Sequence, residues 1–177
     1  MNFHDNGQQA PGEVVWLLQH ILGAKRILEI GSMHGDMLRA MATACRPGAI
    51  IRSIDLPGED GPKASEDDLR RAHDELQADG FDIEIFLGNS RSKNAIEWAR
   101  TWAPYDFIFI DGDHSYEGTK ADWLNYGPMG RLVGFHDITR IDLGCGEVWR
   151  EIAGTHRVEF IKLTPNYFGI GIAHAWP

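Results

Sequence analysis

Three stretches of this chain are apolar almost without a break and then stop at polar residues: RILEI before Gly31, YDFIFI before Asp111, and RLVGF before His136-Asp137. A strand with one wet face would alternate apolar and polar. Uninterrupted runs belong to strands buried on both faces, as at the centre of a parallel sheet covered by helices. Parallel neighbours cannot be joined by a tight hairpin, so each pair needs a crossover, usually a helix. The intervening sequence supplies them. Met37, Leu38, Met41 and Ala44 recur at helical spacing and Pro47-Gly48 ends that helix. Leu69, Ala72 and Leu76 share a face of an acidic helix, with Ser65 and Asp68 placed as a capping box and Gly80 as its stop. Ala95, Ile96, Ala99 and Trp102 line another helix, a further one covers Glu117 to Tyr126, and GEVWREIA is a short last one.

AIIRSID and FDIEIFL complete five strands alternating with helices, after an opening helix over 13–22 that stops at Gly23. HRVEFIKL and YFGIGIAHA, on either side of Thr164-Pro165-Asn166, read as a closing β-hairpin that adds an antiparallel edge. The expected fold is a Rossmann-like, doubly wound, mostly parallel α/β sheet. Its 177 residues suit one domain, 1–177, with a polar N-terminal arm over 1–12.

Charge and cysteine content narrow the partners. With 17 basic against 26 acidic residues, a net charge of −9 and no Lys/Arg cluster, the surface repels nucleic acid. No apolar run approaches the ~18–20 residues that span a bilayer, so no membrane partner is expected. The arm is too polar for a signal peptide, and two lone thiols, Cys45 and Cys145, suit a reduced cytoplasmic setting.

In an open α/β sheet, ligands bind beyond the carboxyl ends of the strands, near the point where strand order reverses. After the first strand come Glu29, Gly31, Ser32, His34 and Gly35; after the second, Asp55 and Leu56; after the third, Asn89 and Ser90. The fourth run leads into Asp111, Asp113 and His114, and the fifth into His136 and Asp137. Gly31 and Gly35 permit a tight turn and a close backbone approach, although GxxxG is not the GxGxxG of dinucleotide loops. Asp55 falls roughly 20 residues past Gly31, where an acidic side chain can accept both hydroxyls of a ribose; a helix cap or loop aspartate is the other reading. Asp111 can equally be a cap, a cofactor contact or a metal ligand, and His114 either a general base or a satisfied loop histidine.

These residues carry a family resemblance. LEIGSMHG, FIFIDGDHSYEGTKADW and VGFHDI resemble a class I S-adenosylmethionine-dependent methyltransferase of the type called methyltransferase domain 24, over roughly residues 26–172. IDGDHSYEG is the most specific piece. The resemblance implies a seven-stranded sheet with a reversed last strand. It implies that Glu29, Gly31, Ser32 and Gly35 hold the methionine part of the cofactor, that Asp55, with Leu56 beside it, takes the ribose, and that Asn89 and Ser90 lie near the adenine. Asp111 joins this cofactor set. The same tips are similar to metal-dependent catechol- and caffeoyl-type O-methyltransferases. That likeness implies Asp111, His136 and Asp137 as ligands of Mg²⁺ or another divalent metal, with His114 and His136 as catalytic groups. It implies O-methylation of a small-molecule acceptor; separately, the brevity of the chain and its short loops suggest that a second subunit of a homo-oligomer completes the acceptor site. Two departures stand out: Met33 replaces the usual middle glycine, and YGPMGRLVGFHD is shorter than the usual proline-glycine-glycine turn. The rival readings are a non-catalytic nucleotide-binding module, a nicotinamide-linked oxidoreductase and a nucleic-acid methyltransferase, the last disfavoured by the acidic charge and the absence of a DPPY tetrapeptide.

Overall fold

A computed structural model of the protein describes residues 9–56, 66–140, 142–163 and 167–176. Seven strands form one sheet: β1 (Arg26–Ile30), β2 (Ile50–Asp55), β3 (Asp82–Leu87), β4 (Tyr105–Ile110), β5 (Gly130–His136), β6 (Val158–Ile161) and β7 (Ile170–His174), in the order β3-β2-β1-β4-β5-β7-β6. β1 to β5 pair in parallel. β7 lies between β5 and β6 and is antiparallel to both. The sheet is therefore the doubly wound one that the sequence implies, with one refinement. The terminal hairpin is added β7 first, so β6 is the outer edge and the later strand is internal.

The helices are α1 (Pro11–His20), α2 (Asp36–Ala44), α3 (Glu66–Ala78), α4 (Lys93–Arg100), α5 (Tyr116–Tyr126) and α6 (Cys145–Ala153). α1 begins two residues before the expected start because Pro11, with its fixed φ and missing N–H, is suited to a first helical turn. Residues 57–65, with the Ser65 cap, and Thr164-Pro165-Asn166 lie outside the described residues. None of the described helices is long and apolar enough to cross a membrane.

Alternation along each central strand builds two cores. Phe107 and Phe109 of β4 face Ile27, Met41 and Leu76 in one cluster, which includes α1 and α2. Ile108 and Ile110 face the other, with Ala95 and Ala99 of α4, Tyr126 of α5 and Val148 of α6. Gly134 in β5 is a packing device: a Cβ there would stand 2.6 Å from the Phe107 ring. Strand order reverses between β1 and β4, and both strands point their carboxyl ends at the same rim.

Candidate active site

Two loops meet at that rim. Gly31, after β1, has φ +86°, and a Cβ on it would lie 2.4 Å from the carbonyl oxygen of Asp111, after β4. The β1 loop and the β4 loop are thus in backbone contact, which only a glycine allows. The turn continues through Met33 at φ +49° and Gly35 at φ +77°. A methionine in the left-handed region is uncommon and costly. What holds it is Asp55 at the tip of β2. One carboxylate oxygen of Asp55 accepts the backbone N–H groups of both Ser32 and Met33 at 2.7 Å. Burial pushes the Asp55 carboxyl up, and those two N–H groups draw it part of the way back.

Beneath the loop, Ser32 donates its hydroxyl to Glu29 and its Oγ lies 2.7 Å from that of Ser53. Glu29 is fully buried, and its Oε1 has no hydrogen-bond partner. Burial pushes its carboxyl well above the usual range; Ser32 opposes this, while Asp111 and Asp55 add to it. The floor of the site is thus a set of crowded, buried carboxyl groups. The loop is also tied outward. His34 Nδ1 stands 3.0 Å from Asp68, and Arg39 bonds Glu75 at 2.6 Å, so the acidic helix α3 is tied to the loop and to α2.

The second half of the site is a carboxylate–imidazole cluster. Asp111 Oδ1 lies 3.1 Å from His114 Nε2 and 3.2 Å from His136 Nδ1. Asp137, at φ +56°, places Oδ1 3.3 Å from the same His136 nitrogen and Oδ2 3.9 Å from His114 Nε2. One potential ligand atom from each of Asp111, His114 and His136 lies within 4.8 Å of the others. Burial disfavours the Asp111 anion, but the two imidazoles outweigh it and hold its carboxyl below the usual range. Burial pulls His136 down, the Asp111 charge and hydrogen bond push it further up, and it settles at about 9. The Asp111 hydrogen bond also raises His114. The start of α6 pins both loops: Cys145 donates its N–H to the His114 carbonyl at 3.1 Å and its Sγ–H to the Asp137 carbonyl at 3.4 Å.

Much of DGDHSYEG is scaffold. Asp113 accepts the Ser115 N–H at 2.9 Å, Ser115 caps α5 by accepting from Gly118, and a Cβ at Gly118 would collide with the Asp113 carboxylate. Tyr116 and Trp123 pack and bond away from the rim, against Glu151 and against Phe135 with His156.

Asn89 and Ser90, after β3, are brought towards β4 through α5. Ser90 Oγ donates to Asp122 at 2.8 Å, and the Tyr126 hydroxyl donates to the Ser90 carbonyl at 2.5 Å. Asn89 caps its own turn by accepting the Arg91 N–H. Leu56, grouped with the cofactor residues on sequence grounds, is 62% exposed. Asp122, which the sequence reading passed over, is buried on α5; burial pushes its carboxyl to about 6, with Ser90 pulling the other way. Its folded value stands above the unfolded one of about 4, so the stability it contributes is present below pH ~4 and lost as pH rises through 6. Asp122→Asn should therefore match the parent near pH 4 and exceed it at pH 7.5 by roughly 2 kcal/mol. Urea unfolding at both pH values measures this, and an unchanged or lower stability at pH 7.5 would show the ionised carboxylate to be welcome there. Gln9 is a second missed residue: its side-chain amide donates to Asp111 Oδ2 at 3.2 Å, and nothing in its sequence context points to that role.

The domain and its fold have counterparts. A family model described as a methyltransferase domain matches residues 28–138. The fold is similar to that of an O-methyltransferase from Bacillus cereus in complex with SAH (S-adenosylhomocysteine), with a TM-score of 0.69 and 19% identity over 95% of this chain and 82% of that one. It is similar to the O-methyltransferase TomG from Streptomyces achromogenes, involved in tomaymycin synthesis and in complex with SAM, at 0.68 and 20% over 94% and 80%. A methyltransferase from Geobacter sulfurreducens gives 0.67 and 17% over 95% and 80%. Among curated proteins, none matches the chain in sequence.

Proposed function

The chain belongs to the methyltransferase-domain family, and from that premise we propose that it transfers a methyl group from S-adenosylmethionine to a hydroxyl oxygen of a small molecule, assisted by a divalent cation. The observation that carries this reading is the meeting, at one rim, of a strained glycine loop over buried carboxyls with the Asp111–His114–His136 cluster.

The residues fit the methyl donor by charge. S-adenosylmethionine carries a sulfonium and an ammonium, and supplies an electrophilic methyl. Asp111, whose carboxyl the two imidazoles hold ionised, supplies the opposite sign to the sulfonium, and the unpartnered buried oxygen of Glu29 offers a hydrogen-bonding partner close to the Gly31 turn. Gly31, Ser32 and Gly35 bring backbone within reach of the amino-acid part. Asp55, whose Oδ2 is already given to the loop, offers Oδ1 to the ribose, with Leu56 at the outer lip. Asn89 and Ser90 border the adenine. Loss of the sulfonium charge on transfer weakens the attraction, which favours product release.

The cluster fits a cation by donor type. One imidazole and two carboxylates, from His136, Asp111 and Asp137, suit Mn²⁺, Fe²⁺ or Zn²⁺ better than Mg²⁺ and leave His114 free as a base. Such an ion would lower the pKa of a bound hydroxyl. Protons and metal compete for the same imidazole lone pairs, so uptake of a cation releases protons. His114, the more exposed of the two histidines, is the group placed to take the acceptor's proton, with Asp111 steadying it. Positioning of donor and acceptor supplies much of the remaining acceleration.

Saturating S-adenosylhomocysteine should raise the melting temperature by about 5–10 °C while NAD leaves it unchanged. Chelation with EDTA should abolish transfer, and Mn²⁺ should restore it. A protein indifferent to S-adenosylhomocysteine is not a methyltransferase of this kind, and one indifferent to EDTA and Mn²⁺ works without the cation.

A further inference from the structure

Glu13 has no part in the reading above, yet it is fully buried in the first turn of α1. A buried carboxylate is expensive unless its oxygens are bonded. Oε1 accepts the backbone N–H of Leu163 at 3.0 Å, whereas Oε2 is buried with no partner. His136 presents the complement. Its Nδ1 faces Asp111 and Asp137, and its Nε2, on the other side of the ring, is also buried with no partner. The register brings the two groups into one neighbourhood. His136 is opposite Ile170 of β7, Ile170 is opposite Ile161 of β6, and Leu163, held by Glu13, follows just beyond. The Glu13 charge is among those that raise the proton affinity of His136. Buried orphan atoms are rare in folded proteins, and a buried acceptor and donor on the same side of the sheet are satisfied together by one buried water between them.

We infer that Glu13 is a positioning residue for His136: its Oε2 accepts the Nε2–H through one buried water, and so turns Nδ1 towards Asp111 and Asp137. A ring whose Nε2 proton is committed to a carboxylate keeps Nδ1 for a second proton or a metal ion, and an outer carboxylate of this kind raises the ligand strength of the imidazole. The hydrogen bond stands by itself; its consequence for cation affinity rests on the cation proposed above.

The test is long-range ¹H–¹⁵N correlation of the histidine rings in the full chain, with Glu13→Ala and Glu13→Gln alongside, and zinc titration by calorimetry. The wild-type His136 should carry a solvent-protected Nε2–H. That signal should lose its protection in Glu13→Ala and shift in Glu13→Gln, whose amide accepts without charge. Zinc affinity should fall about 10–100-fold in Glu13→Ala and less in Glu13→Gln. A wild-type ring protonated on Nδ1 alone overturns the inference, without need of either variant. So does a folded Glu13→Gln protein with an unaltered Nε2–H signal, even if zinc binds, in which case the cation reading stands. A wild type that takes up no zinc but whose Nε2–H depends on Glu13 keeps the inference and removes the cation.

Discussion

Replacing Gly31 with alanine should cost about 3–5 kcal/mol of stability and abolish measurable binding of S-adenosylhomocysteine. Two penalties combine. An alanine at φ +86° loses about 1–2 kcal/mol to the clash between Cβ and its own carbonyl. The new methyl would also stand 2.4 Å from the Asp111 carbonyl oxygen and 2.5 Å from Gly112 Cα, both of them backbone that has no rotamer to change. Relief requires the β1 and β4 loops to part, which separates Asp55 from Ser32 and Met33 and moves Asp111 away from the histidines. Thermal melting with and without S-adenosylhomocysteine reads both effects; at this size the drop should be about 6–20 °C. A variant that melts like the parent and still binds would mean the two loops are not in contact.

Asp111→Asn is expected to lower methyl transfer about 10³-fold while leaving S-adenosylhomocysteine affinity within a few-fold. Asparagine keeps the shape and removes the charge that His114 and His136 share through one oxygen. It also leaves the neutral amide of Gln9 facing a side chain whose oxygen and nitrogen must now choose sides. Turnover, measured with labelled S-adenosylmethionine and the best acceptor from a panel of small phenols, should carry the whole loss. An affinity loss beyond tenfold with turnover preserved would make Asp111 a cofactor contact and nothing more.

The fold was legible because its signals are local. The apolar runs of β1, β4 and β5 and the helical periodicity between them are read within a dozen residues, and strand ends then tell which polar groups share a rim. The rim residues were found for the same reason, Asp55 and Asp111 among them. What sequence could not show are the groups whose meaning lies in a partner far along the chain. Asp122 looks like one more acid in a helix of mixed polarity until Ser90, 32 positions away, is found against it. Gln9 reaches Asp111 across 102 positions, and Glu13 reaches Leu163 across 150. Met33 is the reverse case. Its substitution for glycine was visible, but the reason it is tolerated, two backbone N–H groups held by Asp55, was not.

Strand order has a temporal side as well. β6 is synthesised before β7, yet it touches the sheet only through β7. A chain cut after residue 161 would therefore leave both β5 and β6 without the β7 partner that joins them. His136, at the tip of β5, is clasped from that side only when Ile170 arrives. The sheet is therefore closed around that side of the cluster only by the last strand in the sequence order of the elements.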